Sequence, residues 1–253
     1  MNLIERRMEV FRHLQQEGIV NINDFAEQLG VSSMTVRRDL QYFSQQGLVT
    51  ISNGNAYLVE GASDDVVHIT MKQEENGSKK QRIGRAAAEL VENGDTIIVD
   101  CGTTTLQLLR FLGNKRVTVF TNSIPVAGFA GDMANLTIVY APGVYSPQSV
   151  GMVGTLASDF FRTLHVDKSF LGAHGFDAAG GTNEPVLDDA ATKHTMLDAA
   201  QASYLMVDSG KYGNVHLMAA SKLSDYTCVI TDGDFPQELR PELEAACQQV
   251  IYA

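Results

Sequence analysis

The chain has 253 residues, with 30 Asp plus Glu against 19 Lys plus Arg, 44% hydrophobic and 19% charged residues, and a formal charge of −11. That balance is globular, and it excludes disordered, collagenous and membrane-embedded classes; the length suits one large domain, or a small one joined to a medium one. No apolar run approaches the roughly 20 residues of a membrane helix. Residues 1–7 mix charges of both signs, which predicts a cytoplasmic chain with no secretory signal and no membrane partner. Cys101, Cys228 and Cys247 are far apart and show no ligand-like spacing, so neither a disulfide framework nor a metal site is expected.

The acidic total argues against a general nucleic-acid coat, but charge has to be read locally. Residues 1–58 carry five basic and six acidic side chains, so nearly all of the excess negative charge falls on the remainder. Within this first segment Ile4, Met8, Phe11 and Leu14 recur at spacings of four, three and three, predicting a helix that ends at Gly18. Asn23 is placed to cap a second, short helix with Phe25 and Leu29 inward, closed by Gly30. Ser32 or Ser33 then caps a third helix through Gln46, with Val36, Leu40 and Phe43 on its buried stripe and Gly47 at its end. Two β-rich runs on either side of Asn53-Gly54 follow, a hairpin signal.

Three short helices and a hairpin make a winged helix-turn-helix, in which the tight Gly30-Val31-Ser32 connection frees the third helix to enter a major groove. Of its outward positions, Ser33, Thr35, Arg37 and Arg38 offer hydroxyls and guanidiniums for phosphate and guanine, and are the expected contacts to operator DNA. An Arg pair alone is more often simply solvated. The helix order, the tight connection and the wing together favour DNA binding.

Polar stretches around a short apolar run at 66–71 read as a linker, giving a winged helix-turn-helix over 1–59, a linker over 60–78 and an α/β domain over 79–253. In the last segment β-rich runs at 96–99, 117–120, 136–140, 169–171, 204–207, 228–230 and 250–252 alternate with helical patterns. Those helices are expected to run through Leu112, through Ala130, near 188–201 and over 236–249. The alternation predicts a largely parallel sheet covered by helices, whose ligands bind beyond the carboxyl ends of the strands.

The most informative such loop is Asp100-Cys101-Gly102-Thr103-Thr104-Thr105. Gly102 permits close backbone approach, and Thr103, Thr104 and Thr105 place hydroxyls beside free N–H groups, an arrangement that binds phosphate. Threonines there can equally do no more than start a helix. Thr121, Asn122 and Ser123 form a second hydroxyl-rich loop after a strand. In a third, Lys211 can neutralise a phosphate while Asp208 accepts a sugar hydroxyl. His174, between Gly172 and Gly175, is a further candidate polar contact, although a lone loop histidine is commonly solvated. No Walker loop or dinucleotide fingerprint occurs, so no cofactor is expected, and no nucleophile–base pair singles out catalytic residues.

The run Leu29-Gly30-Val31-Ser32-Ser33-Met34-Thr35-Val36-Arg37-Arg38-Asp39-Leu40 resembles the helix-turn-helix signature of DeoR-type bacterial transcriptional regulators. The similarity continues through the 100–105 and 121–123 loops and Asp208-Ser209-Gly210-Lys211-Tyr212-Gly213. It implies a repressor of a sugar-metabolism operon, whose C-terminal domain resembles sugar-phosphate isomerases and binds a phosphorylated sugar as the inducer that releases DNA. It also implies that Asp189 and Lys193 face the pocket, beside the loop that begins at Asp100. The wing departs from the family pattern, lacking its basic residues, and so does Pro142-Gly143, where the family has a Gly pair, placing Gly143 on an altered wall of the pocket. The rival reading is a sugar-phosphate isomerase or transferase with an appended DNA-binding segment, for which Asp100, Asp189 and Asp208 are available as bases. Helix-turn-helix proteins commonly pair to read two half-sites, so a homo-oligomer is expected.

Overall fold

A computed structural model describes residues 3–45, 47–59, 76–127 and 134–253, which belong to two units, Met1–Glu75 and Asn76–Ala253. Residues 60–75 of the linker expected over 60–78, and the end of the helix expected through Ala130, lie outside the described residues.

The first unit runs α1 (Leu3–Glu17), β1 (Ile19–Asn21), α2 (Ile22–Leu29), α3 (Ser33–Gln45), β2 (Val49–Ser52) and β3 (Asn55–Leu58). Val10, Phe11 and Leu14 of α1 meet Phe25 of α2 and Val36, Leu40 and Phe43 of α3 in one core, closed by Val49 and Ala56 of the wing. Strand β1 was not expected. It pairs with β3 to give the sheet order β1-β3-β2, and it moves the cap of α2 from Asn23 to Asn21, whose side chain accepts from the amides of Asn23 and Asp24. At the other end of α2, Gly30 adopts φ +64°, and the Gly30 and Val31 amides donate to the Glu27 and Ala26 carbonyls, the left-handed closure that turns the chain tightly. Ser32 caps α3 by accepting from the Thr35 amide at 3.1 Å.

Periodicity passes over one residue of α3. Asp39 is 1% exposed and accepts from Arg6 Nε at 2.6 Å and Arg7 Nε at 3.3 Å, while the Arg7 guanidinium also lies 3.8 Å from the Tyr42 ring centre. A buried carboxylate requires such partners, and here they fasten α1 to the back of α3.

The second unit contains α4 (Gly77–Glu89), β4 (Thr96–Val99), α5 (Thr105–Arg110), β5 (Val117–Thr121), β6 (Leu136–Tyr140), β7 (Val144–Ser146), β8 (Gly151–Val153), α6 (Thr155–Arg162), β9 (Val166–Leu171), β10 (Gly175–Asp177) and β11 (Gly181–Glu184). It continues with α7 (Leu187–Asp198), β12 (Ala200–Met206), a 3-10 turn (Ser209–Lys211), β13 (Met218–Ser221), β14 (Cys228–Thr231), α8 (Arg240–Ala246) and β15 (Val250–Tyr252). Seven strands form one sheet in the order β15-β14-β12-β9-β4-β5-β6, and every neighbouring pair is parallel. Both faces are covered, which is why β4 reads as an unbroken apolar run: Ile97 and Val99 join the core beneath α4 and α5, and Ile98 joins the one beneath α6, α7 and α8.

The 236–249 helix is shorter than expected. Pro241 has no amide to donate, so a continuous helix gives way to a 3-10 turn (Gln237–Leu239) followed by α8 with Pro241 in its first turn. The antiparallel sheet β10-β11-β13 and the hairpin β7-β8 went unread, because their strands are three or four residues long. Helix α4 starts at Gly77, inside the expected linker.

Asp39→Ala should destabilise the first unit by about 3 kcal/mol, because it strands two half-buried guanidiniums. Denaturant titration of the whole chain should show that unit's transition moving alone.

Candidate functional site

Strand order reverses between β4 and β9: from β4 the chain builds outward to β5 and β6, then returns to place β9 on the other side. The connections therefore diverge at the carboxyl ends of these two strands, the place where sheets of this kind form a ligand crevice.

A line of buried charge joins its two lips. Asp100, at the end of β4, accepts from the amides of Cys101 (2.8 Å) and Gly172 (3.0 Å), the latter just beyond β9. From α7, Lys193 Nζ donates to Glu184 Oε1 at 2.6 Å and the Gly172 carbonyl at 3.0 Å, and lies 3.3 Å from Asp100 Oδ2. Three acceptors fill the capacity of an ammonium. The second Glu184 oxygen meets His174 Nδ1 at 2.5 Å. Burial works against the Lys193 charge, yet Asp100 and Glu184 outweigh it and hold its pKa well above the ordinary value. Burial likewise opposes ionisation of Glu184, but Lys193 and His174 bring its pKa down to about 2.

The two hydroxyl-rich loops border this line. Gly102 and Thr103 are half-buried, and Thr104, Thr105, Thr121, Asn122 and Ser123 are buried. Two of these hydroxyls serve the scaffold: Thr105 Oγ1 is 2.7 Å from both the Asp100 and Gly102 carbonyls, and Thr121 Oγ1 donates to the Val99 carbonyl while accepting from the Ser123 amide. Thr104 Oγ1, Asn122 Oδ1, Ser123 Oγ and Asp189 Oδ1 are buried with no hydrogen-bond partner among the described residues. Helix α5 has only six residues, so anion attraction here rests on the loop groups more than on a macrodipole.

The β7-β8 hairpin closes one side. Gly151 is pressed against Cys101, where an added Cβ would come 2.8 Å from the thiol sulfur, and the Met152 amide donates to the Asn122 carbonyl at 2.8 Å. Ser149 Oγ donates to Asp189 Oδ2 at 2.5 Å. Burial raises the Asp189 pKa, an effect that Ser149 and Lys193 only partly offset. Between Ser149 and Gly151, Val150 has φ +54°, a left-handed conformation that strains a β-branched residue. Gly143 packs on the hairpin instead: a Cβ there would lie 2.9 Å from the Val153 carbonyl oxygen. Lys211 Nζ donates to the Ala173 carbonyl at 2.5 Å, next to Gly172. Asp208 Oδ1 is engaged by Asn76 Nδ2 at 2.8 Å and the Gly210 amide at 3.2 Å.

In the first unit, Ser33, Arg37 and Arg38 are exposed on α3, and neither arginine joins an ion pair among the described residues. Thr35 is half-buried, its hydroxyl 2.8 Å from Ser32 Oγ. Sequence reasoning missed Glu184 and Ser149, which belong to short strands and loops without periodicity. It also missed Asp39, for which a signal existed: position 39 lies three residues after the inward Val36. Among the described residues no helix is long and apolar enough to cross a membrane, and no group of three His, Cys, Asp or Glu side chains is placed to hold a metal ion.

Comparison with known proteins matches a DeoR-like helix-turn-helix domain to residues 6–60 and a DeoR C terminal sensor domain to residues 75–233. The chain is 32% identical over 235 residues to the uncharacterized HTH-type transcriptional regulator YgbI of Escherichia coli (strain K12), covering 92% of this chain and 91% of that one. It is 30% identical to the lactose phosphotransferase system repressor of Lactococcus lactis subsp. lactis, covering 94% and 95%. Among solved structures, ribose 5-phosphate isomerase A of Methanocaldococcus jannaschii matches with a TM-score of 0.40 at 18% identity, over 54% of this chain and 55% of that one.

Because the Glu184 pKa falls from 4.5 unfolded to about 2 folded, its contribution to stability is complete above pH 4.5 and is lost as pH drops toward 2. Glu184→Gln should therefore cost about 3 kcal/mol at pH 7 and flatten the acid limb of stability, both read from thermal melts across pH. An unchanged acid limb would mean that another group governs it.

Proposed function

The chain belongs to the DeoR family of transcriptional regulators, and we propose that it represses a sugar-metabolism operon in response to a phosphorylated sugar bound between β4 and β9. The observation that carries this reading is the set of four buried, unpartnered polar atoms on Thr104, Asn122, Ser123 and Asp189. Buried polar atoms in proteins are nearly always hydrogen-bonded, and two acceptors together with two hydroxyls suit the hydroxyls of a sugar. The name of the Lactococcus lactis relative, a repressor of a lactose phosphotransferase system, points the same way.

In this reading residues 1–59 read DNA, 60–75 link, and the unit from Asn76 onward senses the effector in the cytoplasm. Gly102, Thr103 and Lys211 take the phosphate. Thr104, Asn122, Ser123 and Asp189 take the sugar. Asp100, Lys193, Glu184 and His174 hold the two lips in place, and Thr105 and Thr121 shape the loops. Ser33, Thr35, Arg37 and Arg38 face the operator, and two copies pair to read two half-sites. In this reading the sensor does not turn its ligand over, since Glu184, held at a pKa of about 2, is a poor proton acceptor, and Asp100 is committed to Lys193 and to the Cys101 and Gly172 amides. The raised pKa of Asp189 is the one feature shared with a proton-abstracting enzyme, so the ligand itself has to be followed.

A thermal-shift screen of sugar phosphates identifies the effector, because a ligand of the native state raises the midpoint. Calorimetry on that compound and its dephosphorylated form should show clear preference for the phosphate, and Lys211→Ala should reduce the preference by about tenfold to a hundredfold, the loss of one charge-assisted hydrogen bond. Equal affinities would remove the phosphate argument, and steady conversion of the ligand by NMR would make the protein an enzyme.

On the DNA side, Arg38→Ala should cost roughly 1–3 kcal/mol of operator affinity at fixed salt. Unchanged binding in both Arg37→Ala and Arg38→Ala would overturn the role of α3.

A further inference from the structure

A regulator of this kind needs a route by which crevice occupancy reaches the chain that leads to the DNA-reading unit. That chain enters the second unit at Asn76, the residue before α4. The start of α4 lies against the carboxyl ends of β12 and β14, where it is held by a dense polar clasp. Asn76 Nδ2 donates to Asp208 Oδ1 at 2.8 Å, and Lys79 Nζ donates to Ser209 Oγ at 2.9 Å. Lys79 also pairs with Asp232 Oδ1 at 3.2 Å and Asp234 Oδ2 at 3.5 Å. Asp232 is fully buried and accepts from the Ser209 amide at 2.6 Å and the Ser209 hydroxyl at 3.0 Å.

The segment gripped in this way, residues 208–211, is the one that carries Lys211. Its ammonium reaches across to the Ala173 carbonyl beside Gly172, on the β9 lip of the crevice. A single four-residue turn thus touches the crevice through its last residue and the root of the linker through its first two. It is also stiff: Asp208 accepts from the Gly210 amide, the Lys211 amide closes on the Asp208 carbonyl at 3.0 Å, and a Cβ on Gly210 would lie 3.1 Å from Asp208 Oδ1 and 3.3 Å from Asn76 Nδ2. A stiff turn passes displacement from one end to the other.

We propose that the 208–211 turn transmits effector occupancy to the linker root, with Asn76 and Lys79 as the positioning residues that receive it. The proposal rests on phosphate binding at Lys211. When an anion draws the Lys211 ammonium away from the Ala173 carbonyl, the turn shifts and the Asn76 and Lys79 contacts re-set the first turn of α4. That turn is closed by the Lys80 amide on the Asn76 carbonyl at 2.9 Å. Distinct arrangements of one element, biased from both ends, are what linkage between two sites requires.

Amide hydrogen exchange on the full-length protein, with inorganic phosphate as the probe, separates the possibilities. In the wild type, phosphate should slow exchange at 102–105 and 208–211 and change the rate at 80–83 by about fivefold or more, the usual lower range of coupling. Asn76→Gly is the informative variant, since glycine adopts φ +56° freely and only the side-chain bond is lost. It should keep phosphate protection at 102–105 to within about twofold of wild type while the response at 80–83 disappears, a split that a purely structural role for Asn76 does not produce. Ser209→Ala, which weakens the Lys79 contact, should give a partial version of the same result. Protection at 102–105 and 208–211 with no response at 80–83 in the wild type overturns the transmission route and leaves the phosphate site standing. Absence of protection anywhere removes the phosphate site and the route together.

Discussion

The sensor unit is organised around one buried ammonium. A lysine without partners is very costly in a protein interior, and Lys193 meets that demand with groups from three separate elements: Asp100 after β4, Glu184 on β11 and the Gly172 carbonyl after β9. Two of them, β4 and β9, border the strand-order reversal. The charge therefore does for the carboxyl ends of β4 and β9 what a hydrophobic core does elsewhere, tying them together through buried polar groups. His174 extends the line outward from Glu184, so a loop histidine between glycines is held in one orientation.

The same arrangement assigns different tasks to side chains of similar type. Of the hydroxyls in the two loops, that of Thr105 bonds to carbonyls of its own loop and that of Thr121 to the Val99 carbonyl at the end of β4, while those of Thr104 and Ser123 have no partner among the described residues. The carboxylates separate likewise. Glu184 is held ionised by Lys193 and His174, whereas burial with a single strong donor, Ser149, leaves Asp189 with a raised pKa and one oxygen uncommitted. Each loop thus carries both a hydroxyl bonded to the backbone and one without a partner among the described residues, and committed neighbours of this kind hold a loop to narrow tolerances.

Much of this was legible in the sequence wherever a regular period or a turn residue was present. The inward faces of α1 and α3, the Asn53-Gly54 hairpin, and the alternation that gives a parallel sheet all follow from spacing and turn chemistry. The hydroxyl-rich loops were legible because strand ends facing helices are the ligand positions of such sheets. What was hidden depends on distant partners. Asp39 reads as a surface acid until Arg6 and Arg7 are placed beside it, 33 and 32 residues away in sequence. Glu184 has no local signal, because its role is set by Lys193 and His174. Strands as short as β7 and β8 carry too few residues for alternation to register, so the hairpin that presses Gly151 onto Cys101 appears only in three dimensions.

Charge distribution links the two units in a way that sequence alone frames and structure sharpens. The net −11 lies almost entirely outside residues 1–58, so the sensor unit repels a polyanion and adds no general affinity for DNA. Within the first unit Arg6 and Arg7 are tied to Asp39, and no Lys or Arg lies between residues 47 and 59. Arg37 and Arg38 are left as the cationic groups exposed on α3. Few phosphate contacts mean a shallow dependence of affinity on salt and weak nonspecific binding. Sequence discrimination by a protein that makes few phosphate contacts has to come from base edges rather than from the backbone.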